Sequence, residues 1–244
     1  MSSGSQEREL PMQAVILAGG MGMRMRPDTE RVPKSMLDVA GRPFIEWQLE
    51  LLARSGIDDV VLCIAHLGDV IRAHVGDGTR HGVSVRYAEE EPGRLLGTAG
   101  ALRAAVGLLA PRFLVTYGDS YLRFDYGAPL RVLQHHPDCE GVMAIHPNAG
   151  HLEPSNVVTD GDWVLHYRKN ATGPEFDHID YGATALRREV VEALPPGVPV
   201  GLDRVQEELA ARGRLRALVV HDRFFEIGSP AGRADLEHHL RNSR

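Results

Sequence analysis

The sequence predicts an α/β fold, with a mostly parallel, doubly wound sheet carrying a small antiparallel insertion. Three observations carry that expectation. Short apolar, β-rich runs alternate with helix-period stretches through the first 145 residues, which is the rhythm of βαβ units. The first apolar run ends in a glycine loop, at the strand end where open α/β sheets bind ligands. Beyond residue 150 the pattern changes to two short strand-like runs about an Asp-Gly-Asp turn, the mark of an antiparallel excursion.

Taken in order, AVILA (14–18) is the first strand. PFIEWQLELLARSG (43–56) has proline at a helix start, apolar residues at helical spacing and a closing glycine. DDVVLCIA (58–65) and VSVRYAE (83–89) are the next strands. TAGALRAAVGLL (98–109) reads as a helix with Thr98 as its N-cap. RFLVTYGDS (112–120) is a buried strand ending in Gly-Asp, and EGVMAIHP (140–147) is another strand. SNVVTDGDWVLHYRK (155–169) forms two short strands about Asp160–Gly161–Asp162, and HIDYGATAL (178–186) is strand-like. LDRVQEELAARG (202–213) is a helix ended by glycine, and LRALVV and FFEIG are strands. The last helix, SPAGRADLEHHLRN (229–242), starts on a Ser-Pro signal.

At 244 residues, 43% hydrophobic and 25% charged, the chain suits one domain, expected over 12–244. Residues 1–11, MSSGSQERELP, lack an apolar core and read as a flexible tail rather than a signal peptide. No uncharged run reaches the ~18 residues of a spanning helix. Net charge is −6, from 27 Lys+Arg and 33 Asp+Glu with no basic run, so nucleic acid is not the expected partner. Two cysteines, Cys63 and Cys139, make neither a disulfide framework nor a metal set, and point to the cytoplasm. His135, His136 and Cys139 lack a fourth ligand at zinc-finger spacing. A homo-oligomer is left open.

The loop in AVILAGGMGMRMRP (14–27) raises the question of function. Glycines directly after a strand let backbone N–H groups approach an anion, most often phosphate. A dinucleotide fingerprint needs a third glycine after Gly20 and Gly22, and its place holds Met25. A Walker A loop needs Gly-Lys-Ser/Thr, and the chain offers Gly-Met-Arg. What remains is a glycine loop with its own cations, Arg24 and Arg26, followed by Lys34 in VPKSM. That suits a triphosphate whose pyrophosphate end must be neutralised as it leaves. Asp119, in YGDSY, closes a buried strand and so points into the ligand crevice. A carboxylate there is a hard oxygen donor suited to Mg²⁺, although Gly-Asp-Ser is also an ordinary turn.

The segments LAGGMGMRMRP, VPKSMLDVAGRPFIEW, LLGTAGAL, YGDSY and FFEIGSP, in that order, resemble the sugar-1-phosphate nucleotidyltransferases. These enzymes are also called nucleoside-diphosphate-sugar pyrophosphorylases. The resemblance runs from Gln13 to the last helix, and is strongest to heptose and hexose 1-phosphate guanylyl- and uridylyltransferase-like members. It implies a Rossmann-like fold, Mg²⁺ as cofactor, and an NTP joined to a sugar 1-phosphate with release of pyrophosphate. It implies Arg24 at the β/γ-phosphates and Lys34 at the α-phosphate as catalytic residues. Leu17, Ala18, Gly19, Gly20, Gly22, Glu90, Glu91, Gly97 and Thr98 are implied on the nucleotide side. Tyr117, Gly118, Asn156, Lys169, Asp180 and Gly182 are implied on the sugar-phosphate side, with Asp119 and Glu226 as metal ligands. The chemistry fits this set. The nucleophile is an already anionic phosphate oxygen, so the site must align and neutralise rather than supply a base.

Several positions depart from the family pattern. Met23 stands for the usual threonine, Glu226 for aspartate, and Arg168–Lys169–Asn170 for Glu-Lys-Pro. HIDYG (178–182) stands where the family has an Asn-Ala-Gly-type sugar contact, with Asp180 as an acceptor for sugar hydroxyls and His178 beside it. These changes gather on the sugar side, so heptose, N-acetylated and carbocyclic sugar-like phosphates all stay open beside glucose 1-phosphate. The base-reading loop, YAEEEPGRLLGTAG (87–100), holds Glu89, Glu90 and Glu91 but no glutamine. Carboxylates suit guanine's adjacent donors, so GTP is expected first and CTP second. Two other readings remain: a cytidylyltransferase acting on a non-sugar phosphate, and a silent homologue that binds a nucleotide sugar and regulates a partner. Retention of Arg24, Lys34, Asp119 and an acid at 226 speaks against the silent one.

Overall fold

The computed structural model describes residues 12–91, 93–148, 154–171 and 173–242; the expected tail, 1–11, lies outside the described residues. The chain runs β1 (Gln13–Leu17), β2 (Asp38–Val39), β3 (Arg42–Pro43), α1 (Phe44–Arg54), β4 (Asp59–Ile64), α2 (Gly68–Val75) and β5 (Ser84–Glu89). It continues through α3 (Gly97–Ala104), β6 (Arg112–Tyr117), β7 (Ser120–Tyr121), α4 (Ala128–His135) and β8 (Gly141–Pro147). Then come β9 (Val157–Asp160), β10 (Trp163–Tyr167), β11 (His178–Arg187), α5 (Arg188–Glu192) and α6 (Leu202–Ala211). The described chain ends with β12 (Leu215–Val219), β13 (Phe225–Glu226) and α7 (Pro230–Asn242).

Nine strands form the main sheet in the order β5-β4-β1-β6-β11-β8-β12-β10-β9. The apolar runs are continuous because both faces are covered. Along β1, Ile16 packs with Leu49 and Leu52 of α1, Ile71 of α2 and Leu130 of α4 on one face. Val15 packs with Leu102 of α3 and Leu209 of α6 on the other. A third cluster, with Phe44, Tyr121, Phe225, Ile227 and Leu236, ties α7 to the β7–β13 pair.

The sheet is mixed, which corrects the expectation of a mostly parallel one. β5, β4, β1 and β6 are parallel, but β11 runs antiparallel to both β6 and β8 in the middle of the sheet. Periodicity reports which residues are buried and not which way a strand runs, so HIDYGATAL gave no direction. The reversal matters for the site. In the parallel register Leu17 lies beside Cys63 and Tyr117, so three strands end at one edge. β11 starts at that same edge, since its Ala183 pairs with Thr116 of β6. Asp180 to Gly182, near its start, therefore arrive beside Tyr117.

Thr98 is also corrected: the helix starts at Gly97 without a side-chain cap. Thr98 Oγ1 instead accepts a bond from Leu202 N at 2.6 Å, and so caps the start of α6. Val200 O accepts from Ala99 N and Gly100 N at 2.9 and 3.1 Å. Gly97 has φ +71, and a Cβ there would lie 2.7 Å from Val200 O, so this contact between α3 and the α6 approach requires glycine.

Candidate active site

A cleft of about 260 Å³ opens at the shared strand edge. Leu17, Gly19, Gly20, Lys34, Glu90, Gly97, Thr98, Tyr117 and Asp119 line it, with Cys63, Leu95 and Ala101. Of the last three, Leu95 falls in the base-reading loop and Ala101 in the LLGTAGAL segment, whereas the sequence marks Cys63 only as a buried thiol. Burial, with Glu90 close by, pushes the Cys63 thiol up to about 12, so it lines the cleft as an inert apolar surface.

Lys34 and Asp119 meet directly, Nζ to Oδ2 at 2.6 Å. Lys34 sits on a single 3₁₀ turn, Lys34–Met36, behind Pro33. Asp119 sits where β6 turns into β7. That turn is anchored by Gly118 N donating to Leu17 O at 3.0 Å and Ile227 N donating to Asp119 O at 2.9 Å. Arg24 is exposed on the glycine loop and borders a neighbouring cavity of about 190 Å³ with Glu226, Gly228 and Ser229. The two cavities adjoin at Gly228. A Cβ there would lie 3.3 Å from Arg24 Nη2 and 3.6 Å from Asp119 Oδ2, so Gly228 stands between the Arg24 guanidinium and the Asp119 carboxylate.

Glu226 pairs with Ser120 across β13 and β7, one residue along from Asp119. The Tyr117 phenol is pushed up first by burial, then by the charges of Asp180, Asp203, Asp119 and Glu226. Four carboxylates thus act on one ring. Among the described residues no group of three or more His, Cys, Asp or Glu is arranged to hold a metal. Asp119 at the β6–β7 turn and Glu226 on β13, opposite Ser120 of β7, are nonetheless a donor set that suits Mg²⁺, which keeps several waters and uses few protein ligands. The residues fit that ion.

The loop amides divide. Ala18 N donates to Cys63 O at 2.8 Å, so it belongs to the sheet. Gly22 has φ +61 and is locked by Thr29, whose Oγ1 donates to Gly22 O at 2.8 Å; it shapes the loop and does not line the cleft. Glu90 and Glu91 divide as well. Glu90 Oε1 accepts from Leu96 N at 2.7 Å, and its Oε2 lies 3.3 Å from where a Cβ on Gly19 would stand. Glu91 is exposed and faces Arg94 at 3.6 Å.

Near the start of β11, Asp180 N donates to Asn156 Oδ1 at 2.8 Å, and Asp180 Oδ1 accepts from Gly182 N at 2.9 Å. Burial pushes the Asp180 carboxyl up to about 6, opposed by bonds from Gly182, Gln206 and Tyr167 and by the Lys169 charge. Gln206, buried on α6, also donates to Thr184 Oγ1 at 2.9 Å. Neither Gln206 nor Tyr167 carried a sequence signal, because each reads as an ordinary helix or strand residue. His178 pairs with Asp177 at 2.6 Å.

The raised Asp180 carboxyl gives a testable sign. Its folded pKa of about 6 exceeds the ordinary carboxyl value of 3.8, so the folded state binds the extra proton between those values. Ionised Asp180 therefore costs stability above pH 6, and that cost disappears as pH falls toward 4. Asp180→Asn is expected to raise Tm at pH 8 and to lose that advantage near pH 4. The upper bound is on the order of 3 kcal/mol from ~1.4 kcal/mol per unit, and paired melting curves at the two pH values check it. An advantage that grows on acidification would contradict the assignment.

A family model described as nucleotidyl transferase matches residues 13–152. The N-acetylmuramate alpha-1-phosphate uridylyltransferase of Neisseria meningitidis serogroup B is 41% identical over 128 residues, 52% of this chain and 55% of that protein. The mannose-1-phosphate guanylyltransferase of Mycobacterium tuberculosis is 30% identical over 239 residues, 92% of this chain and 64% of that protein. The chain thus spans between about half and two thirds of the length of these curated relatives. Among solved structures, HddC from Yersinia pseudotuberculosis complexed with GMP-PN superposes with a TM-score of 0.75 at 24% identity, over 94% of this chain and 99% of that one. That likeness shows a shared α/β fold.

Proposed function

Because the chain belongs to the nucleotidyl transferase family, we propose that its cleft transfers a nucleotidyl group from an NTP to a sugar 1-phosphate, releasing pyrophosphate. GTP is the proposed donor and Mg²⁺ the proposed cofactor. The observation that carries the reading is the Lys34–Asp119 pair at 2.6 Å, set between the glycine loop and the start of β11.

In this reading an anionic oxygen of the sugar phosphate attacks the α-phosphorus, a new O–P bond forms, and the bond to the pyrophosphate oxygen breaks. No proton need move. Arg24 neutralises the departing pyrophosphate, and Lys34 offsets the charge that builds on the α-phosphate in the transition state. Lys169, within electrostatic reach of Asp180, holds the sugar phosphate in line. Asp180 and the backbone at Gly182 face the sugar, and Gly182, with φ +90, leaves room beside the Tyr117 ring. Asp119 and Glu226 would hold Mg²⁺, which would supply further neutralisation of the phosphates.

For the base, Glu90 is the residue that matters. Its Oε1 is fixed by Leu96 N, and Oε2 lies on the cleft side near Gly19. A fixed carboxylate matches the adjacent N1–H and N2–H₂ donors of guanine and has no counterpart on uracil. The relatives' names divide between guanylyl and uridylyl transfer, so the base needs its own test. Glu90→Gln is expected to cut kcat/KM for GTP by roughly 10–100-fold, the range of one lost charge-assisted recognition pair, and to change UTP much less. A wild-type preference for UTP in initial-rate measurements would rule the assignment out. We place the reaction in one domain, 12–244, in the cytoplasm; no helix among the described residues is long and apolar enough to cross a membrane.

A further inference from the structure

We infer that Gln48, on helix α1 and outside the cleft lining, is a positioning residue that holds the turn carrying Asp119. The inference rests on reading the cleft as a phosphate-transfer site and extends it to a residue that touches no substrate.

Gln48 is 1% exposed, on the helix face that also buries Phe44, Ile45, Leu49 and Leu52. A polar amide on that face is costly unless its bonds are made. Gln48 Nε2 donates to Tyr117 O at 2.7 Å and to Ser120 O at 2.9 Å. Both partners are carbonyls, so only the amide nitrogen can face them. These two carbonyls bracket Gly118 and Asp119, the residues by which β6 becomes β7. Gly118 N is tied to Leu17 of β1, and Asp119 O to Ile227 N beside β13. Gln48 supplies the third anchor, from the helix layer.

The same helix also registers the other half of the ion pair. Phe44 N, at the start of α1, donates to Leu37 O at 3.0 Å, and Leu37 N donates to Lys34 O at 3.1 Å. α1 therefore contacts the Asp119 turn through Gln48 and the Lys34 turn through Phe44, and Lys34 and Asp119 close the loop at 2.6 Å. In-line transfer is sensitive to displacements of about 1 Å. Losing the Gln48 anchor therefore lowers turnover through Asp119, with the substrate-contacting residues still in place.

The chain offers a matched control. Gln13 is also 1% exposed, and its Nε2 also donates twice, to Asp59 Oδ2 at 2.7 Å and Leu108 O at 3.0 Å. It lies at the start of β1, the end opposite the cleft. Gln48→Met keeps an unbranched side chain and removes both donated bonds; Gln13→Met does so at the far end and also removes the bond that Gln13 Oε1 accepts from Ala110 N at 2.7 Å. Gln48→Met is expected to lower kcat about tenfold or more, with KM for both substrates within about threefold. It should also weaken Mn²⁺ binding, read by electron paramagnetic resonance with an unreactive NTP analogue, and speed amide exchange at Ile227. Gln13→Met should leave all of these unchanged at an equal or larger loss of Tm, since it breaks three bonds to Gln48's two. Gln48→Glu, protonated when buried against two carbonyls, keeps one donor and should fall between, and it carries the test if Gln48→Met does not fold. Wild-type kcat, Mn²⁺ affinity and Ile227 exchange in the Gln48 variants, or the same losses in Gln13→Met, would overturn the inference. If the wild type itself transfers no nucleotidyl group, the functional reading fails separately, and Ile227 exchange still decides the role of Gln48.

Discussion

Lys34→Ala is expected to lower turnover by at least ~10²-fold, the scale for losing one preorganised charge contact to a developing anion, while the protein stays folded. The side chain is about four-fifths buried against Asp119, at the junction of the glycine loop and the cleft. The backbone of its 3₁₀ turn is held by its own bonds, Met36 N to Pro33 O and Leu37 N to Lys34 O, so removing the amine does not unfold the turn. It does leave the Asp119 carboxylate facing bound phosphates without its cation, which adds repulsion to the loss of stabilisation. Arg24→Ala should act in the same direction through the leaving group. Near-normal kcat in a folded Lys34→Ala protein, judged by circular dichroism and Tm, would remove the mechanism.

The second large effect concerns the two carboxylates. Asp119→Asn is expected to cut turnover by ~10²–10³-fold, the range of one lost electrostatic contact at the reacting centre, and to cost more than Glu226→Gln. Asp119 is held on three sides and ion-paired to Lys34, so its position admits little adjustment. Glu226 lies on a two-residue strand and has a side chain one methylene longer. Both variants should raise the Mg²⁺ concentration for half-maximal activity, and Glu226→Asp should move that concentration less than Glu226→Gln does. Magnesium titrations of the three variants check the order. Unchanged magnesium dependence in both Asp119→Asn and Glu226→Gln would show that these residues do not hold the ion.

Much of this arrangement was legible in the sequence because strand ends and glycines leave local marks. AVILAGG and LVTYGDS placed Leu17, Gly19 and Asp119 at strand ends, and those strands do end at one edge. The direction of β11 was not legible, since a buried strand reads alike both ways and its partners are set by distant pairing. The helices Gly68–Val75, Ala128–His135 and Arg188–Glu192 leave little mark in the sequence because each spans only about two turns or fewer. Thr98 carried a correct capping chemistry with the wrong helix: its hydroxyl serves Leu202, 104 residues on. Gln48 and Gln206 were invisible for a related reason. A glutamine at a buried helix position has meaning only through the carbonyl or hydroxyl that the fold brings to it.

The measurement that bears most directly on the account is pyrophosphate release from the purified full chain, with GTP, CTP, UTP, ATP and dTTP each offered against a panel of sugar 1-phosphates. Pyrophosphate is expected to form one-for-one with a nucleoside-diphosphate sugar, only when both substrates and Mg²⁺ are present, and fastest with GTP. No pyrophosphate from any pair, or release at the same rate without a sugar phosphate, would contradict that expectation.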